Sequence, residues 1–472
     1  GGPWCVSRAE PSSKDGGRGN QGWRKRLHAL LLRLKGARAN LLDDHFRDIL
    51  SGAAITFGLK IAGMGLMFLF NVLVARLLGV ADTGLFFLAL TVLQMAATLA
   101  LWGLDKAALR YVSGFAANDR WADVRVVFSR AVRVVMVSSL LLATAIFFAA
   151  PFLALRIFDD PALLMPFQIV ALVVPVLALL PIFVEALKGL KKIFASQILQ
   201  GVILPFFALL GLFLLARDHG ATGAIMAYGL AALMALLLGW GLWHWQLSRR
   251  DKSGSTDFSY RQLLHSAGPL GGISILHLLM QWVPLLALGA FGSSTEVGLF
   301  GVAVRTATLT SLLLVAVNSI AAPKFAALWA KGDHEALQKL AVKSTALITL
   351  LAAPFLLGFV LFPSFILGLF GADFKEGAIA LSILAAGQFV NAATGSVGFL
   401  LMMTGHERQL WKSVALAALL SLLMSGLILS GAGLIMAALA VAVPLAMQNI
   451  LSSFYAMRYL HFLPCNYFLL FR

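Results

Sequence analysis

Two basic residues lie deep inside long apolar stretches of the chain: Lys60 is about eleven residues into the run 50–74, and Arg305 about seven residues into the run 298–320. A charged side chain in the middle of a membrane helix costs about 2.5–3.5 kcal/mol on insertion scales, so a charge retained there usually has a function. No Asp or Glu lies at a similar depth. A path with cations and no anions favours an anionic solute, because Lys offers a point charge and Arg a bidentate fork for phosphate oxygens.

Uncharged polar residues recur on the same helix faces. Ser274, His277 and Gln281 follow one another at i, i+3 and i+7, which places them on one face of a helix. We predict a substrate cavity lined by eight residues: Lys60, Asn71, Ser274, His277, Gln281, Arg305, Gln388 and Asn391. The alternative is that these side chains only form hydrogen bonds between packed helices. We interpret Gln94 and Asn318 as packing contacts of that second kind.

The sequence patterns that carry enzyme chemistry are missing. The chain has no GxxxxGK(S/T) phosphate-binding loop, no HExxH zinc motif and no GxSxG nucleophile motif. Its nine histidines are scattered, and Cys5 and Cys465 lie at opposite ends of the sequence, which argues against a cysteine metal site and a disulfide framework. We expect a protein that is not an enzyme and that uses no cofactor or metal ion.

Long apolar helices must position the polar residues. Of 472 residues, 60% are hydrophobic and 12% are charged, whereas soluble domains are roughly half apolar and a quarter charged. A membrane-spanning helix needs about 20 apolar residues. The sequence has twelve such stretches, at about 50–74, 84–104, 131–152, 165–187, 197–216, 222–245, 267–290, 298–320, 344–362, 379–402, 413–430 and 433–457. We predict an all-α polytopic membrane protein with about twelve transmembrane helices; a soluble enzyme is excluded.

The basic residues are distributed unequally between the two sides of the predicted membrane. When the segments between spans are assigned to alternate sides, 31 of the 37 Lys and Arg residues fall on the side that holds both termini. Basic residues concentrate on the cytoplasmic side of membrane proteins, so both termini are predicted to be cytoplasmic. The net charge of +16 then reflects orientation, and we expect no nucleic-acid partner.

Motifs in the two halves of the chain match at a nearly constant offset. ADTGLF at 81–86 resembles TEVGLF at 295–300, and GAIMA at 223–227 resembles GLIMA at 433–437. Each half then holds six spans, as in parallel repeats that carry the substrate between two lobes. The predicted domains are a basic cytoplasmic tail (1–48), an N-terminal lobe (49–245), a cytoplasmic linker (246–264), a C-terminal lobe (265–460) and a cytoplasmic tail (461–472).

The basic tail allows two interpretations. Trp23, Leu27, Leu30 and Leu34 recur at helical spacing among Arg and Lys residues, which is typical of an amphipathic helix lying on an anionic membrane surface. A solvated basic tail that only fixes orientation is the alternative.

Three segments resemble a known family. ARLLGVADTGLFFLAL (75–90), GLDKAALRYVSGF (103–115) and ALKGLKK (186–192) are similar, in this order, to segments of the polysaccharide biosynthesis and oligosaccharide (O-antigen-type) flippase family. This family belongs to the multidrug/oligosaccharidyl-lipid/polysaccharide exporter superfamily, and the resemblance covers about 49–460. It implies a MATE-like fold of two six-helix lobes.

The resemblance also implies a function. The expected activity is translocation of a lipid-linked (polyprenyl-diphosphate) oligosaccharide across the bacterial cytoplasmic (inner) membrane by alternating access, for assembly of a surface polysaccharide such as lipopolysaccharide. The expected partners are the lipid-linked substrate, membrane lipids, glycosyltransferases and a polymerase. Two alternatives stay open: a MATE-type multidrug or cation antiporter, and a non-transporting scaffold for polysaccharide-assembly enzymes.

Overall fold

All regular secondary structure in the described part of the chain is helical. The structure, a computed structural model, describes residues 44–248, 250, 258–430 and 433–462. The first half contains α1 (Asp44–Leu101), α2 (Leu104–Ala117), α3 (Trp121–Phe152), α4 (Leu164–Gly189), α5 (Ile193–Ile198) and α6 (Leu204–Ser248). The second half contains α7 (Tyr260–Phe291), α8 (Ser294–Thr308), α9 (Ser311–Ala330), α10 (His334–Leu361), α11 (Pro363–Gly368), α12 (Ala378–Thr394), α13 (Val397–Met403), α14 (Glu407–Gly426) and α15 (Gly433–Leu460). Leu153–Ile157 and Leu199–Ile203 are π-helical, and Pro161–Leu163, Asp373–Gly377 and Leu427–Ser430 are 3₁₀ turns.

The number of membrane spans agrees with the sequence once the kink in α1 is considered. Eleven helical stretches among the described residues are long and apolar enough to cross a membrane. The first, Gly58–Leu101, has 44 residues, about twice the ~20 that one span needs. Its helix is interrupted at Gly79, where φ is 76°, a left-handed value that glycine adopts without strain. Counting the two arms of α1 separately gives twelve spans, so the predicted all-α polytopic fold is confirmed.

Two spans in the second half are discontinuous. The helix is broken between α8 and α9 at Leu309 and Thr310, and between α12 and α13 at Gly395 and Ser396. Gly395 has a φ of 64°. Non-helical backbone at membrane depth is tolerated where it is buried in protein or lines a cavity. The two breaks therefore indicate where a cavity is expected.

The arm of α1 that follows Gly79 crosses α8 at two glycines. A Cβ atom on Gly84 would overlap the carbonyl oxygen of Ser294, and a Cβ atom on Gly298 would overlap the carbonyl oxygen of Val80. Gly84 and Gly298 are 214 residues apart, as are Val80 and Ser294. The two contacts are thus related by the offset of the sequence repeat, like the reciprocal contacts across a two-fold axis.

Most other helix contacts are formed within one half of the chain. In the first half α4 packs against α2, α3 and α6, and in the second half α15 packs against α12 and α14. Contacts between the halves include α2 with α7 and a hydrogen bond of 2.8 Å from Arg76 Nε to the Leu369 carbonyl. The predicted amphipathic tail lies almost entirely outside the described residues, and so does most of the tail at 461–472.

Candidate functional site

A cavity of about 670 Å³ lies where the helix breaks predict one. Its wall contains side chains from α1 in the first half and from α7, α8, α9, α12 and α15 in the second. The polar part of the wall is mainly amide: seven Asn and Gln side chains of the described residues face the cavity. Among the described lining residues there is no Asp or Glu, and Arg305 is the one Lys or Arg. Apart from Arg305, the only titratable side chain in this described wall is that of His277.

Positions related by the repeat face each other across this cavity. Among the described lining residues, four pairs are 214 positions apart: Met67 with Gln281, Leu90 with Val304, Thr91 with Arg305, and Gln94 with Thr308. The first half contributes a neutral Thr91 where the second half contributes the guanidinium of Arg305. The cavity thus lies between equivalent helices of the two repeats, but its charge comes from one of them.

Arg305 is held in place by an aromatic ring and a backbone carbonyl. Its Nη1 donates a hydrogen bond of 3.1 Å to the Gly301 carbonyl, and its Cζ lies 3.7 Å from the centroid of the Phe87 ring. Gly301 leaves room for that ring, because a Cβ atom there would overlap it. None of the ion pairs found among the described residues involves Arg305. A guanidinium has five N–H donors, so this side chain can bind an anion while it stays stacked on Phe87.

The helix bounds change the depths predicted for the two cations. Arg305 is eleven residues after Ser294, the start of α8, or about 16 Å along a helix. This is close to the middle of a hydrocarbon core about 30 Å thick. Lys60 precedes the kink at Gly79 by 19 residues, about 28 Å. Lys60 is thus almost a full membrane thickness from the kink, not at mid-depth as the sequence suggested.

Four more of the predicted residues line the cavity together with Arg305. His277 and Gln281, one turn apart on α7, are both solvent-accessible and face it. Gln388 and Asn391 face it from α12. Asn391 Nδ2 donates to Gln388 Oε1 at 3.2 Å, and the hydroxyl of Ser311 donates to the same oxygen at 3.3 Å. These bonds fix the orientation of the Gln388 amide.

Three predicted residues do not line this cavity. Lys60 is half-buried and lies two helical turns before Met67, which does line it. Asn71 is buried and donates 2.7 Å to the Met67 carbonyl of its own helix. Ser274 lines a separate pocket of about 200 Å³ that also contains Asp105 and Glu185. Of the three α7 residues that the sequence places on one helix face, His277 and Gln281 line the large cavity and Ser274 lines the smaller pocket.

The sequence predicts packing contacts for Gln94 and Asn318 and no role for Ser396, yet all three residues line the cavity. Helical periodicity cannot relate Asn318 to Arg305, because the break at Leu309 and Thr310 lies between them. A Gly-Ser pair inside an apolar run, such as Gly395-Ser396, marks an interruption of a helix and is a signal that could have identified Ser396.

The close crossing at Gly84 and Gly298 lies between the cavity and the kink at Gly79, which belongs to the predicted outer side. In the other direction the wall reaches Met402 and Leu410, next to the turn that contains His406, on the predicted cytoplasmic side. The two helices are thus in tight contact at the predicted outer end, and the cavity extends toward the opposite end.

The chain is similar to known transporters and flippases. The chain is 24% identical over 412 residues to the probable low-salt glycan biosynthesis flippase Agl15 of Haloferax volcanii, covering 86% of this chain and 83% of that protein. The structure of the lipid II flippase MurJ in an inward closed conformation matches with a TM-score of 0.69 and 14% identity, covering 85% of this chain and 86% of that one. An inward-facing MATE family multidrug resistance transporter of the MOP superfamily matches with a TM-score of 0.66 and 14% identity, covering 87% and 98%.

The family assignment comes from the sequence itself. The model of the polysaccharide biosynthesis protein family matches residues 49–329, more than half of the chain. The matched segment contains α1 from residue 49 onward and the whole of α8, and so it includes Phe87 and Arg305. The sequence resemblance to this family is thereby confirmed, as is the multi-pass membrane character it implied. This chain belongs to the polysaccharide biosynthesis protein family.

Proposed function

We propose that this protein is a flippase that moves a lipid-linked (polyprenyl-diphosphate) oligosaccharide across the cytoplasmic membrane by alternating access. One observation carries the proposal: Arg305 lies near mid-depth in a cavity that is lined by no Asp or Glu among the residues that the structure describes. A single cation without a paired carboxylate is suited to an anionic group that must bind and then leave. The diphosphate of a lipid-linked glycan is such a group, and the guanidinium fork matches its oxygens.

The same observation disfavours the MATE-type antiporter of drugs or other cations. A cationic solute inside a low-dielectric cavity needs a carboxylate close by, because an unpaired charge there is costly. The cavity wall presents Arg305, which would repel such a solute. The match to MATE transporters concerns the fold, and folds of one kind carry many functions.

The tight crossing of α1 and α8 supports transport by alternating access. The two helices are in tight contact at Gly84 and Gly298, at the predicted outer end, while the cavity extends toward the predicted cytoplasmic end. In this state the diphosphate and sugars would enter from the cytoplasm while the polyprenyl chain stays in the bilayer. Separation of α1 and α8 at the glycine crossing would then open the outer side. The names of the relative Agl15, a probable glycan biosynthesis flippase, and of the structurally similar lipid II flippase MurJ support the proposed class of activity.

We place the protein in the cytoplasmic membrane with both termini inside, as the charge distribution predicts. The expected compartment is the bacterial inner membrane, and the proposed product is a surface polysaccharide of the O-antigen type. Glycosyltransferases would supply the substrate and a polymerase would use the product. The same chemistry would apply in an archaeal membrane, since the relative Agl15 is from Haloferax volcanii.

A complementation experiment tests the proposal. In a strain with the gene deleted, the wild-type protein should restore surface glycan and remove the lipid-linked glycan that accumulates in cells. Arg305→Gln should restore little of either at equal protein level, and Arg305→Lys should give an intermediate result because it keeps the charge and loses the fork. Full complementation by Arg305→Gln would contradict the proposal. A drug-resistance assay on the same strains tests the antiporter, and a scaffold would tolerate both substitutions.

A further inference from the structure

Two buried polar side chains in the cavity wall have no hydrogen-bond partner. Asn318 is 2% exposed and Ser396 is 3% exposed. Neither the Nδ2 nor the Oδ1 atom of Asn318 is bonded within the described structure, and neither is the Oγ atom of Ser396. Buried polar groups are normally satisfied, and each one that is not weakens the fold. Because both residues line the cavity, a ligand there can supply the missing partners.

Ser396 lies at one helix break of the second half, and Asn318 lies eight residues, about 12 Å along the helix, after the other. Ser396 follows Gly395 directly, at the junction of α12 and α13, and Asn318 lies on α9, which begins just after the break at Thr310. Gly395 itself lines the cavity. The break between α12 and α13 therefore brings Ser396 into the wall at a membrane depth where non-helical backbone is tolerated only if it is buried in protein or lines a cavity.

An ordered amide pair belongs to the same wall. Gln388 Oε1 accepts hydrogen bonds from Asn391 Nδ2 and Ser311 Oγ, so its own Nε2 can act as a donor. Together with Asn318 and Ser396, these groups offer several donors and several acceptors and no charge. A cation, an anion or an apolar drug would leave many of them unpaired. A sugar ring, whose hydroxyls both donate and accept, would pair them.

We infer that Asn318, Ser396, Gln388 and Asn391 form a neutral sugar subsite, which binds an uncharged sugar of the lipid-linked glycan while Arg305 binds the diphosphate. This inference rests on the proposed function, since it divides one substrate between two parts of one cavity. Arg305 holds any diphosphate carrier, whereas the amides distinguish a carrier with a sugar from one without. The protein would thereby translocate the carrier only after the first glycosyl transfer.

The Asn318 amide has no hydrogen-bond partner in the described structure. One substitution at this position should therefore affect protein stability and glycan binding in different ways. Leucine has nearly the shape of asparagine and no polar atom. If the amide serves a ligand, Asn318→Leu should leave the melting temperature of the ligand-free protein unchanged or raise it, because it removes unsatisfied groups. The same variant should weaken binding of the glycan. A residue that only stabilises the fold would lower the melting temperature when replaced.

Binding would be measured on the purified full-length chain in lipid nanodiscs with two probes: the lipid-linked glycan extracted from the deletion strain, and sugar-free polyprenyl diphosphate. We expect Asn318→Leu and Ser396→Ala each to weaken glycan binding about five- to thirtyfold and to leave binding of the sugar-free carrier unchanged. Arg305→Gln should weaken both probes alike. Ser452→Ala, which removes a buried unbonded hydroxyl that does not line the cavity, should change neither.

The outcomes separate this inference from the proposed function. If Asn318→Leu and Ser396→Ala leave glycan binding unchanged while Arg305→Gln weakens both probes, the sugar subsite is wrong and the flippase proposal stands; ordered water then satisfies these groups. If Asn318→Leu weakens both probes equally, its role is not sugar recognition. If neither probe binds the wild-type protein, the proposed function fails as well.

Discussion

Arg305 is stabilised by the face of Phe87 rather than by an opposite charge. A cation over an aromatic ring gains about 0.5–2 kcal/mol, the larger value when desolvated, and leaves the guanidinium edge available. A carboxylate partner would neutralise the charge that the substrate needs. The Phe87 ring therefore holds the guanidinium in position and leaves N–H groups at its edge available for an anion.

Phe87→Leu should reduce transport by several fold, because about 1 kcal/mol of cation–π stabilisation is lost and Arg305 is less well positioned. Phe86→Leu is the matched control, since Phe86 is equally buried and stacks near Phe70 and Phe87 without being the ring under Arg305. Initial rates of glycan export at equal protein level would be compared. Equal rates in the two variants would argue against a positioning role for Phe87.

Lys60→Gln should have a much smaller effect on export than Arg305→Gln. Lys60 lies about 28 Å before the kink at Gly79 along the helix, where its amine can reach the membrane surface, while Arg305 lines the cavity. We expect Arg305→Gln to lower the rate about tenfold or more, since a charge-assisted hydrogen bond is worth about 1.5–3 kcal/mol. A larger loss with Lys60→Gln would show that the transport path reaches further along α1.

At the scale of helices, Gly395 lets α12 end inside the membrane. Its φ of 64° is left-handed, and a Cβ atom there would overlap the Thr345 side chain. Gly395→Ala should therefore destabilise the protein by roughly 1–2 kcal/mol or more. Gly398→Ala is the control: its Cβ atom would meet Leu410 Cδ1 at 3.7 Å, an ordinary contact, and alanine favours the helix. Thermal unfolding in detergent should show opposite shifts, and equal melting temperatures would contradict the role of Gly395.

The crossing of α1 and α8 should respond to a single methyl group. Gly298→Ala places a Cβ atom onto the Val80 carbonyl, which should force the helices apart at the predicted outer end. Spin labels at Asp159 and Asp373, both exposed, would report the distance between the halves after both native cysteines are replaced by serine. Gly114→Ala, where nothing lies within 4 Å of the added atom, should leave the distance unchanged. An unchanged distance in Gly298→Ala would contradict a tight crossing.

The sequence predicts the membrane-spanning helices more accurately than the depth of individual residues in the membrane. Bilayer thickness fixes the length of a span, so apolar runs were sufficient to find twelve of them. The start of α1 at Asp44 and its kink at Gly79 depend on packing that hydropathy does not record, and they move Lys60 away from mid-depth. The break at Thr310 likewise shifts the helix face, which is why the sequence predicts only a packing role for Asn318.

At the scale of the whole molecule, the tight crossing of α1 and α8 and the position of the cavity predict from which side of the membrane the cavity can be reached. In a cysteine-free variant with one cysteine restored, Thr308→Cys should react with a membrane-impermeant maleimide from the cytoplasmic side, because Thr308 is exposed in the cavity. Asp373→Cys should react from outside. Inverted and right-side-out vesicles would be compared. Labelling of Thr308→Cys from the outside alone would reverse the predicted orientation.

Translocation itself is the most direct test that this cavity carries an anionic glycan lipid. Purified protein would be reconstituted into liposomes that contain the extracted lipid-linked glycan, with and without an imposed proton or sodium gradient, and a membrane-impermeant glycosidase would digest the exposed sugars. With the wild-type protein the inner-leaflet glycan should become accessible, and with Arg305→Gln it should stay protected or be exposed at least about tenfold more slowly. Two results would contradict the account. One is that the inner-leaflet glycan stays as protected with the wild-type protein as in protein-free liposomes under every condition. The other is that the glycan is exposed at equal rates by the wild-type protein and by Arg305→Gln.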